Sequence, residues 1–312
     1  MRIAVVGPTA TGKSDLAVGL ALALGGEIVN ADAMQLYRGM DIGTAKLTAA
    51  ERRGVPHHQL DVIEVDEDAS VAAYQLHARS DLGAIEARGA RAIAAGGSGL
   101  YLRALLDRME LAPTDPAVRA RFEAEAAERG PGAMHDELAR RDPVAAAAIA
   151  RTNTRRIVRA LEVLELTGSG PRTALPAPEY EVPAVQIGLD CARPVLDVRI
   201  EARVQRMWSL GLVDEVAALA SRMGRTAARA VGYAQVLALL RGETDEASAR
   251  EATVIATRRL ARRQMGWFGR DPRVHWLSAD DPDLLARALD LVEAADAGRL
   301  PEPDGARRTL GS

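Results

Sequence analysis

Residues 7–14 read Gly7-Pro8-Thr9-Ala10-Thr11-Gly12-Lys13-Ser14, directly after an apolar run at 3–6 and directly before a helix-like run at 16–24. Strand, glycine loop and helix in that order are what a phosphate-binding loop requires, because backbone N–H groups and a helix N-terminus must converge on one anion. Lys13 sharpens the reading: of 40 lysines and arginines, only Lys13 and Lys46 are lysine. A chain so biased towards arginine has kept a compact, rotatable ammonium where a planar guanidinium fits a phosphate cradle badly. The simpler alternative is a glycine-rich turn that merely caps a helix. The loop reading implies a protein that handles a di- or triphosphate.

Outward from the loop, the first third alternates short apolar runs with amphipathic ones. Runs at 3–6, 27–30, near 60–65 and at 90–95 are interleaved with helical patterns at 16–24 and 69–88. This predicts an α/β fold, a parallel sheet flanked by helices, whose strand C-termini deliver their loops to one edge. From Thr114 the texture changes to alanine- and arginine-rich helical runs at 116–129, 133–140, 143–150 and 154–166, closed by a proline-rich stretch at 171–183. A strand pattern at 184–189 then returns to the sheet. The expected organisation is an α/β core at 1–112 and 184–298, an all-helical insertion at 113–183 and a flexible tail at 299–312.

Composition narrows the function classes. With 312 residues and 48% hydrophobic content the chain can bury one large core or two modest ones. Nowhere do about eighteen apolar residues run together, so the chain reads as soluble and cytoplasmic, with no membrane partner. Cys191 is the only cysteine, which excludes a disulfide framework, and the five histidines show no zinc-like spacing. A formal net charge of −3 means that any polyanion must be met by local basic patches.

Several constellations carry chemistry. Ser14, after the loop lysine, is placed to ligate Mg²⁺ bridging phosphate oxygens. Asp32, at the tip of a strand, could bind Mg²⁺, orient an acceptor, take its proton, or simply cap a helix. Gly96-Gly97-Ser98-Gly99 presents N–H groups and a hydroxyl at the same edge, although glycines there also serve backbone geometry. Two arginine clusters have spacings suited to a phosphate backbone: Arg151, Arg155, Arg156 and Arg159, and Arg258, Arg259, Arg262 and Arg263 running on to Arg273. In the second, six arginines face the single Asp271, beside Trp267 and Phe268, which points to RNA; the two aromatics themselves read as core. His57 and His58, adjacent on an extended segment, point opposite ways and read as structural.

Taken in order, these motifs resemble the bacterial tRNA dimethylallyltransferases, also called tRNA isopentenyltransferases. The likeness runs from Ile3 to about Trp276. It includes the 7–14 loop, residues 32–46, Pro56-His57-His58, Gly96 to Tyr101, Arg156 to Glu162, Arg199-Ile200 with Arg203, Val231-Gly232-Tyr233 and residues 257–268. The resemblance implies transfer of a dimethylallyl group from dimethylallyl diphosphate to N6 of the adenosine 3′ of the anticodon, with Mg²⁺ as cofactor and the tRNA anticodon stem-loop as partner. It places the diphosphate on Gly7, Pro8, Thr9, Ala10, Thr11, Gly12, Lys13 and Ser14, with Arg203. Asp32 is implied as general base, and Ser98 lies near the reacting atoms. Asp32, Ala33, Met34, Gln35, Ser98, Arg119, Arg155, Arg156, Ile157, Val158 and Arg159 fall at tRNA-contact positions. Arg262 and Arg263 are added from the C-terminal cluster, and a monomer is the expected state. The sequence departs from the family pattern at Ser98 (commonly Thr), Ala33 (Ser), Asn153 (Asp) and Ala234-Gln235 (Lys-Glu).

Three competing readings make different use of these residues. A nucleotide or small-molecule kinase has ATP on the loop, but leaves the C-terminal Arg–Trp segment without a role. Prenyl transfer to free AMP or ADP dispenses with tRNA. An RNA-binding protein with a vestigial loop makes Lys13 and Asp32 dispensable.

Overall fold

A computed structural model of the chain describes residues 1–170, 175–303 and 308–310. Part of the proline-rich connector (171–174) and most of the tail beyond 303 lie outside the described residues.

In chain order the elements are β1 (Arg2–Val6), α1 (Lys13–Leu24), β2 (Gly26–Asn30), a 3-10 turn (Ala33–Leu36), β3 (His57–His58), α2 (Val71–Ala87), β4 (Arg91–Ala95) and α3 (Gly99–Leu106). There follow α4 (Pro116–Arg141), α5 (Pro143–Ala147) and α6 (Thr154–Thr167). The chain continues with β5 (Ala184–Asp190), α7 (Arg193–Ser209), α8 (Leu212–Leu219), a 3-10 turn (Ala227–Arg229), α9 (Tyr233–Leu240), α10 (Glu246–Phe268), β6 (Val274–Ser278) and α11 (Leu284–Asp296).

The six strands form one parallel sheet in the order β3-β2-β4-β1-β5-β6. Central β1 is apolar after Arg2 because both of its faces are covered. Alternate residues go to opposite cores: Ala4 and Val6 face a cluster with Leu82, Ile85 and Leu105, whereas Ile3 and Val5 face one with Leu16, Leu20 and Val292. A third core, around Tyr37, Trp208 and Tyr233, joins α7, α8 and α9 to the loop after β2.

The sequence placed a strand near 60–65, but the edge strand is His57–His58. Gln59 (φ 58°) and Asp61 (φ 56°) adopt left-handed backbone, which ends the extended path, and Ile63 makes only an isolated bridge to Tyr37. Both histidines are structural there: His58 Nε2 lies 2.6 Å from Glu27 Oε2, and His57 Nδ1 lies 2.9 Å from Val55 O.

The chain divides into two compact units, Met1–Arg108 with Tyr180–Ser312, and Met109–Glu179. The second is shorter than the expected 113–183 at its C-terminal end, because Tyr180 already bridges Asp107 and Glu181 N–H donates to Leu106 O. Within this unit α4 is broken at Gly130 (φ 78°, ψ 160°), after which Pro131 starts a new helical segment. Its core holds Phe122, Met134, Leu138, Ile157, Val158 and Leu161. The tail also departs from expectation where it is described: Arg308 N–H donates to Gly269 O at 3.0 Å, and Leu310 packs beside Leu196 and Ala261. Among the described residues no helix is long and apolar enough to cross a membrane.

Candidate active site

The phosphate loop sits where β1 leaves the sheet. Gly7 has φ 134°, and a Cβ there would lie 2.6 Å from Leu189 O on β5, so a side chain is excluded twice over. Thr11 Oγ1 donates to Pro8 O at 2.8 Å and closes the loop, and α1 begins at Lys13 itself. Thr9 N–H is taken by Gln264 Oε1 at 2.8 Å, a long-range brace from α10.

Thr9, Ala10, Thr11, Gly12, Lys13 and Ser14 line a cavity of about 1000 Å³ together with Asp32, Gln35 and Arg203. The topology therefore brings together residues from the first helix, the loop after β2 and α7. Gly7, Pro8, Ala33, Met34 and Ser98 stand outside the lining. Ser98 Oγ instead accepts from Ala33 N–H at 3.1 Å and so holds the backbone next to Asp32.

The electrostatics of the cavity are unbalanced. Lys13 Nζ donates to Pro8 O at 2.6 Å, and Arg203 Nη2 donates to Thr44 O at 3.3 Å. Among the described residues neither cation has a carboxylate within ion-pair distance. Burial in the cavity wall lowers the Lys13 pKa to about 7; Asp32 opposes that shift and Arg203 adds to it. Burial likewise lowers Arg203 from its ordinary value, again opposed by Asp32. A cavity that disfavours its own cations is one that an incoming anion stabilises.

Of the readings its position allowed, Asp32 fulfils that of a cap. Its Oδ1 caps the 3-10 turn by accepting from Met34 N–H at 3.0 Å, which leaves Oδ2 without a hydrogen bond among the described residues. Asn30 fixes the aspartate backbone from both sides, accepting from Asp32 N–H and donating to Asp32 O. Gln35 turns its Nε2 to Thr44 O (3.2 Å) and Ala45 O (3.5 Å).

The two arginine clusters separate into paired and unpaired members. In the helical unit, Arg119 and Arg159 both close on Glu162, whose side chain is fully buried and also accepts from Thr114 and Asp115 N–H. Burial works against the Glu162 carboxylate, but the four donors outweigh it and hold its pKa at about 2. Arg151 pairs with Asp136. Ile157 and Val158, expected among the tRNA contacts, are buried in the unit's core, so their side chains cannot meet RNA. Arg155 and Arg156 remain exposed, with no ion pair among the described residues.

On α10, Arg258 is held by Asp197 and Glu201. Arg259, Arg262, Arg263 and Arg270 have no such partner among the described residues; with Trp267 they line a second concavity of about 520 Å³. Phe268 is core, as expected, but Trp267 is 37% exposed, a correction to its core assignment.

Two departures from the family pattern prove to be caps. Asn153 Oδ1 accepts from Arg156 N–H at the start of α6, and Gln235 Oε1 accepts from Gly232 N–H at the start of α9. The amide keeps the acceptor that an acid would supply. Sequence reasoning assigned no role to Gln264, within the 257–268 stretch, or to Glu215, outside every motif, although both support the site from distant elements.

A family model described as IPP transferase matches residues 35–271. The tRNA dimethylallyltransferase of Thermobifida fusca (strain YX) is 62% identical over 299 residues, covering 93% of each chain. Among solved structures, the full-length tRNA isopentenylpyrophosphate transferase of Bacillus halodurans is 38% identical with a TM-score of 0.70, covering 96% of both chains. A eukaryotic dimethylallyltransferase acting on tRNA is similar in fold, with a TM-score of 0.82 at 22% identity over 98% of this chain and 81% of that one. A phosphate loop on a parallel sheet, a cavity with two unpaired cations and relatives of this closeness leave one assignment: the chain belongs to the IPP transferase family, among the tRNA dimethylallyltransferases.

Proposed function

We propose that this chain transfers the dimethylallyl group of dimethylallyl diphosphate to N6 of the adenosine 3′ of the anticodon in tRNA. The observation that carries the reading is the pairing, in one cavity, of two cations that lack counter-charges with a carboxylate that has one oxygen to spare.

The diphosphate lies on the 9–14 loop with Lys13 and Arg203. As the C1–O bond breaks, negative charge grows on the leaving group and C1 gains cation character. Donors fixed beforehand around the diphosphate stabilise that charge most. N6 attacks C1, its lone pair forms the new C–N bond, and the N6 proton passes to Asp32 Oδ2. Lys13, with a pKa near 7 in the free site, is drawn back to its charged form by the diphosphate.

A divalent ion fits this donor set. Ser14 offers one hydroxyl at the cavity wall, and Mg²⁺ usually takes one or two protein oxygens, with substrate phosphates and water completing its shell. When bound, the ion supplies further charge neutralisation on the leaving diphosphate.

The tRNA is met by exposed cations: Arg155 and Arg156 on α6, and Arg259, Arg262, Arg263 and Arg270 around Trp267 on α10. An anticodon-loop base is extruded from its stack at lower cost than a paired one, which suits an amine that must reach Asp32.

The test is nucleoside analysis of unmodified tRNA after incubation with dimethylallyl diphosphate and Mg²⁺. N6-dimethylallyladenosine next to the anticodon, released with one diphosphate per turnover, is the expected result. Prenylation of free AMP in preference to tRNA, or phosphate transfer from ATP without prenylation, would overturn the reading.

A further inference from the structure

Val231-Gly232-Tyr233 is a motif to which the reaction gives no role, and the structure packs its Tyr233, at the start of α9, against the loop whose Thr44 carbonyl meets Arg203. Glu215, on α8, gathers three consecutive backbone donors: Asp41 N–H at 3.0 Å and Ile42 N–H at 2.7 Å on Oε2, and Gly43 N–H at 3.1 Å on Oε1. Tyr233, at the start of α9, donates its hydroxyl to the same Oε1 at 2.5 Å. The tyrosine ring lies so close to Gly43 that a Cβ there would be 2.4 Å from a ring carbon. Tyr233 is fully buried, and burial beside Glu215 pushes its phenol well above the ordinary range, so the hydroxyl remains a donor.

The residue after this clamp is Thr44. Its carbonyl accepts from Arg203 on one side and from Gln35 on the other. The far end of the loop is pinned separately, by Lys46 Nζ to Tyr37 O at 2.9 Å, to Asp41 Oδ1 at 2.6 Å and to Asp61. The backbone from Asp41 to Lys46 is therefore a braced wall of the cavity, and the direction of the Thr44 carbonyl is set by what holds residues 41–43.

We propose that Glu215 and Tyr233 are positioning residues for Arg203: they fix the Thr44 carbonyl that aims the guanidinium into the diphosphate cavity. The inference rests on the reading of Arg203 as a diphosphate ligand. A carboxylate that accepts three backbone donors restrains a loop more tightly than apolar packing, and groups that orient a ligating side chain commonly change function by about 10- to 100-fold when removed.

The experiment is a double-mutant cycle on kcat/KM for dimethylallyl diphosphate at saturating tRNA, using Tyr233→Phe, Arg203→Ala and the pair, with Glu215→Gln as a second probe. Tyr233→Phe keeps the ring against Gly43 and removes only the hydroxyl. Far-UV circular dichroism and thermal melts establish that each variant is folded. Tyr233→Phe alone is expected to lower kcat/KM by about tenfold and to weaken inorganic diphosphate binding in calorimetry, with KM for tRNA unchanged. In the Arg203→Ala background its effect should vanish, because residues acting through one group are not additive. Independent, multiplying effects in a folded pair overturn the positioning role while leaving the diphosphate reading intact. If Arg203→Ala itself leaves kcat/KM and diphosphate binding unchanged, the diphosphate reading fails, and this inference falls with it.

Discussion

The phosphate-loop cavity and the helical unit both set basic side chains near a carboxylate, and they use them in opposite ways. In the helical unit, Arg119 and Arg159 close on buried Glu162, and Arg159 also donates to the Ala112 and Pro113 carbonyls. In the cavity, among the described residues, Lys13 and Arg203 make only backbone hydrogen bonds, and Asp32 acts on them at a distance without an ion pair. The first arrangement is self-satisfied and stabilises a fold. The second is complete only when an anion arrives. Counting arginines does not distinguish them; asking which cations lack a partner does.

The largest effect that separates the two regions should come from Asp32. Asp32→Ala is expected to slow prenyl transfer by about 10²- to 10⁴-fold in single-turnover assays, the range for a positioned general base. Loss of its Oδ1 cap should cost only about 1 kcal/mol of stability. Unfolding of this variant would show that the cap is its main task.

Glu162 should behave in reverse. Glu162→Gln leaves two arginines around a neutral group; because both are about one-third exposed and can turn to water, the cost should be about 1 to 3 kcal/mol rather than that of a fully buried pair. Denaturant unfolding should register that loss, with the donor-side kinetics of the remaining folded protein unaltered. The sign with pH follows from its depressed pKa. The contribution of Glu162 is whole above the ordinary carboxylate value of 4.5 and is lost as pH falls from there towards 2. Stability unchanged over that interval would mean that the cluster is not a stabilising one.

Lys13→Ala and Arg203→Ala are each expected to remove about 2 to 4 kcal/mol of transition-state stabilisation, measured as kcat/KM for the prenyl donor, with melting temperatures near that of the unaltered chain. The RNA surface offers a smaller and sharper contrast. Arg155→Ala and Arg262→Ala, at unpaired positions, should each flatten the plot of log tRNA affinity against log salt by about 0.7 to 0.9. Arg159→Ala, at a paired position, should lower stability and leave the slope nearly unchanged. Equal slopes for all three would erase the distinction between paired and unpaired arginines.

What the sequence revealed followed contiguity. Strand, loop and helix at residues 3–24 are adjacent in the chain, so their spacing alone defines a phosphate cradle, and the alternation of apolar runs foretold a parallel sheet. Arg203 lies 190 residues from Lys13 and was placed beside it only through family resemblance. The bracing roles of Gln264, which holds Thr9 from within the 257–268 stretch, and of Glu215, which holds residues 41–43, are not legible because a single amide or acid on a helix has no periodic signature. The edge strand was placed too far along because hydropathy at 60–65 does not register the left-handed turns at Gln59 and Asp61. Trp267 reads as core because it stands beside Phe268, whereas their helix directs only Phe268 inwards. The Arg156 to Glu162 motif was visible as a basic cluster, but the buried acid that neutralises Arg159 was not, since pairing depends on packing and not on spacing.

Cations that await a diphosphate should declare themselves in calorimetry of inorganic diphosphate binding, run in buffers of different ionisation enthalpy. With Lys13 near pKa 7 in the free site and charged in the complex, binding should take up protons between about pH 7 and 8. Affinity should be full below that interval and decline as pH rises through it. Lys13→Gln should abolish this uptake, the difference from the unaltered chain removing the titration of diphosphate itself. Identical proton counts in the two proteins, with equal affinity across the interval, would contradict the account.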